Sequence, residues 1–137
     1  MSQRAGNWFL TAAVAGMLAA CASSKDTPVD PNLFPTNYKR EILNTLSRTL
    51  GDPINVREAF ISDPALGPID KEQRYMVCIR YNARDAGHHY EGSTDHIAYF
   101  YGGYLNQLIT ASKEQCGNAT YKPFPELEKL CQAAKCV

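Results

Sequence analysis

The residues with the most evident chemistry lie in one stretch, Asp85-Ala86-Gly87-His88-His89-Tyr90-Glu91-Gly92-Ser93-Thr94-Asp95-His96. It holds every histidine of the 137-residue chain together with several carboxylates. Imidazole nitrogens and carboxylate oxygens suit zinc or copper, which makes His88, His89 and His96 candidate ligands. Metal-binding segments usually take their spacing from a helix or strand, and this one reads as an exposed polar connection. On an extended chain the adjacent His88 and His89 point apart. The favoured expectation is therefore a solvated loop with no metal and no cofactor. Cysteine is the second reactive type, at positions 21, 78, 116, 131 and 136. No Cys-x-x-Cys occurs, which argues against thiol redox catalysis. Gly-x-Ser-x-Gly, a phosphate-binding glycine loop and His-Glu-x-x-His are also missing from the sequence. The expectation is a protein that is not an enzyme, with no catalytic residues.

Cys21 stands apart from the other four cysteines. It follows an uncharged run, Trp8 to Ala20, preceded by the basic Arg4. A helix needs roughly 20 apolar residues to cross the hydrocarbon core, so this run fits the apolar region of a signal peptide better than a membrane span. The quartet Leu18-Ala19-Ala20-Cys21 resembles the lipobox of bacterial lipoproteins. That resemblance implies cleavage before Cys21, a diacylglycerol thioether on its sulfur and acylation, palmitate included, of the new amino group. Ala22, where a lipoprotein kept in the inner membrane would carry Asp, implies an outer-membrane location facing the periplasm. Residues 1–20 are then a signal peptide, 21–36 a lipidated tether rich in proline and extended, and 37–137 one small domain.

Export bears on the remaining cysteines. Cys78, Cys116, Cys131 and Cys136 are even in number, which in an oxidising compartment points to two disulfides. Three pairings are possible. The favoured one joins Cys116 to Cys131 or Cys136 and Cys78 to the other, with a buried free thiol at Cys78 as the plain alternative. The chain carries 14 basic and 14 acidic residues, which gives no electrostatic case for a nucleic-acid partner.

The elements that must position these groups are legible from periodicity. Tyr38, Ile42, Leu43, Leu46 and Leu50 recur at three- and four-residue spacing and predict a helix over 37–50. Thr36 or Asn37 is placed to cap its start, Gly51 to end it in a left-handed conformation, and Pro53 to forbid continuation. Ile54–Ser62 predicts a short edge strand carrying Val56, Phe60 and Ile61, and Asp63–Pro68 a loop. Arg74–Asn82 alternates cleanly with two usable faces, the mark of a central strand. His96–Tyr101 and Tyr104–Ala111 flank Gly102-Gly103, which supply the positive φ angles of a two-residue hairpin turn. Pro125–Ala134 predicts a short helix with Leu127, Leu130, Cys131 and Ala134 along one side.

The expected fold class is α+β, an N-terminal helix packed on a small antiparallel sheet of about four strands, with a short C-terminal helix. Alternation puts Tyr99 and Tyr101 on one face and Phe100 on the other. Tyr99 and Tyr101 are accordingly candidates for an exposed binding surface. The segment Val77–Arg84, the loop after it and Tyr99-Phe100-Tyr101-Gly102-Gly103, with Asp52-Pro53 after the first helix, is similar to small proteobacterial envelope proteins of unknown activity over roughly Tyr38 to Ile109. The functional expectation is a lipid-anchored cell-envelope protein, a non-catalytic structural or interaction module whose partner is an envelope protein or cell-wall component. The alternative is a metal-binding envelope protein using His88, His89 and His96.

Overall fold

A computed structural model describes residues 26–132 and 135–136. The expected signal peptide, residues 1–20, and Cys21 lie outside the described residues. The elements in chain order are α1 (Tyr38–Thr49), β1 (Asp52–Ile61), β2 (Ala65–Ile69), β3 (Glu72–Arg84), β4 (Thr94–Tyr101), β5 (Tyr104–Thr110), α2 (Lys113–Cys116), β6 (Lys122–Pro123), α3 (Pro125–Glu128), β7 (Cys131–Gln132) and β8 (Lys135–Cys136). The path of the sheet runs β5-β4-β3-β1-β7-β8, with β2 also on β3 and β6 also on β1. All pairs are antiparallel except β1 with β7. The fold is mostly β, a curled mixed sheet forming a half-barrel with small helices. The expected helix on a small four-stranded antiparallel sheet is therefore corrected.

The curl originates in β1. Its register against β3 shifts twice, between Asp52 and Arg57 and again between Arg57 and Phe60. Asn55 and Glu58 take the left-handed φ of 56° and 53° at these points. Each bulge bends the strand and increases its twist. The bulges also change which residues face inward: Val56, Ala59 and Ile61 are buried while Phe60 is exposed. β1 is an interior strand, not an edge, because β6 and β7 pair along its other side.

Both faces of the sheet are covered. One carries the main core, where Ile42 and Leu46 of α1 and Leu127 of α3 meet Val77, Ile79, Tyr81, Ala98 and Phe100. The opposite face carries a smaller cluster of Cys78, Ile97, Tyr99 and Cys116, with Met76 and Tyr121 against it. The central-strand expectation for β3 holds, since alternate residues feed the two cores and β1, β2 and β4 all pair with it. The Gly102-Gly103 turn is present, with φ of 57° and 83°, and sets Tyr101 opposite Tyr104.

Several local expectations are corrected. Asp63–Pro68 was expected as a loop, yet β2 pairs with β3 from Ala65↔Met76 to Ile69↔Glu72. Pro68 is tolerated because β2 has no strand on its far side, and the bare Cα of Gly67 makes room for the Met76 side chain, whose Sδ is 2.3 Å from where a Cβ would stand. The chain leaves α1 through Leu50 in an extended conformation, not through a left-handed Gly51. Gly51 serves close approach instead, as a Cβ there would lie 3.0 Å from the Ala86 amide nitrogen. The last helix is a single turn, α3, followed by the β7–β8 pair that sets Cys131 opposite Cys136. Part of the segment expected as a tether, 21–36, packs on the domain. Pro35 is buried, and the Gly102 amide donates to the Pro31 carbonyl at 3.1 Å, so the chain near Pro31 rests on the hairpin turn.

Candidate functional site

The densest polar cluster sits where β1 begins and β3 ends. Asp52 is 3% exposed, and its carboxylate accepts His88 Nδ1 at 2.6 Å and the Ile54 amide at 3.0 Å and forms an ion pair with Arg84 Nη2 at 2.7 Å. The His88 hydrogen bond, with the Ile54 amide and the Arg84 charge, holds the Asp52 carboxyl below its usual range against the opposing effect of burial. His88 reaches this position from a left-handed φ of 68°. The turn before it is closed by Asp85, whose Oδ1 accepts the Gly87 and His89 amides at 2.8 and 3.0 Å.

Further contacts fasten the same loop to β1. The Tyr90 hydroxyl donates to the Asn55 carbonyl at 2.7 Å, and the Arg57 guanidinium lies 4.0 Å from the Tyr90 ring centroid. The Ser93 hydroxyl donates to Glu58 Oε2 at 2.5 Å, and Asn82 Nδ2 reaches the same oxygen at 3.3 Å. Residues 85–93 are therefore clasped onto the bulged strand. A carboxylate orienting a histidine is one part of a general-base arrangement, but the nearest hydroxyls in sequence, Tyr90 and Ser93, are engaged by the Asn55 carbonyl and Glu58. The contacts made here are those of a structural fastening.

The three histidines do not meet. His88 turns to Asp52, and His89 is exposed with Nδ1 3.7 Å from Asp85. His96 lies on β4, stacked on Tyr81 with ring centroids 4.4 Å apart. Burial lowers the His96 pKa from its ordinary 6.5, and burial with the charge of Glu91 pushes Tyr81 up to about 12. Among the described residues no group of three or more His, Cys, Asp or Glu is placed to hold a metal ion.

The candidate surface pair is also separated. A register shift between Tyr99 and Phe100 and the two covered faces leave Tyr99 at 4% and Phe100 at 1% exposed, in opposite cores, while Tyr101 is 47% exposed. Tyr99 belongs to no exposed row; its hydroxyl accepts from Gln115 Nε2 at 3.0 Å. Beside it a groove of about 530 Å³ opens on the outer face, lined by Ser62, Met76, Cys78, Tyr99, Gln115 and Asn118 among others.

All four candidate cysteines are paired, but not as favoured: the bonds are Cys78–Cys116 and Cys131–Cys136. The first fastens α2 over the outer face. The signal for α2 was present in Ser112-Lys113-Glu114-Gln115, a capping box in which Ser112 Oγ accepts the Gln115 amide and Gln115 Oε1 accepts the Ser112 amide. Asp52, Arg84, Glu58 and Arg57 carried no such signal, because their partners lie tens of residues away.

Outside the clasp, Arg80 and Asp95 form a two-toothed ion pair across β3 and β4, with bonds of 2.7 and 3.1 Å. The Tyr121 hydroxyl donates to Asp95 at 2.9 Å, and its ring lies 4.6 Å below the Arg80 guanidinium. This ties the chain after α2 back onto the sheet. Comparison with protein families, with curated proteins and with solved structures gives no match for this chain.

Proposed function

We propose that this is a lipid-anchored cell-envelope protein, non-catalytic, held in the outer membrane and facing the periplasm. The carrying observation is the division of its cysteines. Four of the five are consumed by two disulfides, the usage of an oxidising compartment. The fifth, Cys21, stands at the position a lipobox requires, Leu18-Ala19-Ala20-Cys21. Two or three acyl chains, at about 0.8 kcal/mol per buried CH₂, anchor a small domain stably.

The folded part serves as an interaction module for an envelope protein or cell-wall component. The outer groove beside Tyr99 supports this, being the concave surface whose walls are held by a disulfide rather than by the main core. The metal-binding alternative loses its geometric basis, since the three histidines face separate surroundings.

The test is intact-mass analysis of protein recovered from the membranes of cells expressing the full chain. The expected species lacks Met1–Ala20 and carries acyl chains on Cys21, while Cys21→Ser accumulates as uncut precursor because oxygen cannot supply the thioether. A wild-type protein of unmodified mass refutes the anchor.

A further inference from the structure

We propose that the β4–β5 hairpin tip, with the chain resting on it, is a membrane-facing surface that lies against the bilayer into which Cys21 is anchored. The proposal rests on the lipid-anchor reading above and adds an orientation to it.

Five large apolar side chains gather at this end. Val29, Leu33, Phe34, Tyr101 and Tyr104 are between 47% and 72% exposed. Their proximity is fixed by the turn. A Cβ on Gly102 would stand 2.7 Å from Val29 Cγ1, and one on Gly103 would stand 3.3 Å from Leu33 Cδ2. Tyr101 and Tyr104 flank the two glycines as cross-strand partners. Phe34 meets Tyr75 edge to face, with centroids 5.2 Å apart. The hairpin is in turn held on α1, where Glu41 Oε2 accepts the Leu105 amide at 2.5 Å.

Exposed apolar surface gathered at one place marks a contact site, and the length of chain upstream says which one. Docking near Pro31 shortens the free tether to the residues between Cys21 and Val29. The eight Cα-to-Cα steps from Cys21 to Val29 span at most about 29 Å. The thioether fixes the sulfur of Cys21 at the glycerol level of the lipid. The apolar tip is thereby the part of the domain nearest the bilayer. Tyrosine is also the side chain suited to that boundary, with an apolar ring and a polar tip. Arg74, whose guanidinium is 5.1 Å from the Tyr101 ring centroid, is ion-paired with Glu72, so the edge of the patch is charge-balanced. The Asp85–Ser93 loop lies at the other end of β3, about 33 Å away along the strand from Arg74 to Arg84, and faces the periplasm.

The chain offers a clean reporter, because its one tryptophan, Trp8, precedes the cleavage point. Tyr104→Trp and, separately, His89→Trp are prepared as acylated mature protein and reconstituted in vesicles of phosphatidylethanolamine and phosphatidylglycerol, with or without lipid brominated near the glycerol end of its acyl chain. Groups at this boundary sit about 5 to 10 Å deep, so Tyr104→Trp should shift to the blue and lose roughly half its emission to bromine, with His89→Trp unaffected. Equal quenching at both sites, or none at Tyr104→Trp in protein whose mass shows the acyl chains, overturns the orientation while leaving the anchor intact. A blue shift that needs no vesicles and grows with protein concentration assigns the patch to a second copy and overturns it too. Protein without acyl chains removes the anchor and this proposal together.

Discussion

Removing the two disulfides one at a time should expose a difference set by loop length. Cys78 and Cys116 are 38 residues apart, and Cys131 and Cys136 are 5 apart. In the chain-entropy account a crosslink restricts the unfolded chain by about 2.1 + 1.5R ln n cal/mol/K, so at 25 °C the first bond contributes about 3.9 kcal/mol and the second about 2.1 kcal/mol. Packing widens the gap. Cys78 and Cys116 are both buried in the outer cluster, and their bond holds α2 over it. Cys136 is exposed. The comparison is Cys78→Ala with Cys116→Ala against Cys131→Ala with Cys136→Ala, in chains of residues 22–137 exported behind an ordinary cleavable secretory signal. Urea unfolding followed by circular dichroism gives the free energies, and the slope should rise most where the longer loop is released. In thermal scans the expected losses are roughly 15 °C and roughly 8 °C for a domain of this size. A larger cost at Cys131 and Cys136 would refute the argument. So would peptide mapping of the oxidised protein that finds Cys116 joined to Cys131 or Cys136.

Other outcomes follow from burial. Phe100→Ala should cost about 3 to 5 kcal/mol and Tyr99→Ala should also destabilise clearly, whereas Tyr101→Ser should stay within about 0.5 kcal/mol; equal losses from Tyr99 and Tyr101 in urea unfolding contradict the two-faced sheet. His96 is held below its ordinary 6.5 by burial, so the unfolded chain binds the proton first. Its contribution is complete above that value and is lost as pH falls through 6.5 toward the folded value. Melting temperatures measured from pH 8 to pH 5 should decline less in His96→Phe, and identical profiles reject the assignment.

Short-range pattern carried much of this fold. The apolar spacing of Tyr38 to Leu50 places a helix, the alternation of Tyr75 to Tyr81 places an interior strand, and Gly102-Gly103 closes a hairpin, since each depends on neighbours within one or two turns. The quartet Leu18-Ala19-Ala20-Cys21 and the even number of remaining cysteines are likewise properties of the chain alone. What tertiary structure decided is whatever required distant segments to meet. Four cysteines permit three pairings, and only the approach of α2 to β3 selects Cys116 for Cys78. Alternation grouped Val56, Phe60 and Ile61 in a short edge strand and put Tyr99 outward with Tyr101, but left-handed residues at Asn55 and Glu58 set which side chains of β1 turn inward, and α2 covers the second face that would have exposed Tyr99. The histidine stretch read as a solvated loop because nothing within it shows that His88, Tyr90 and Ser93 each have a partner on β1. Asp52 lies 36 residues from the ring it holds, and side-chain partners so far apart are chosen by the curl of the sheet, which no local spacing encodes.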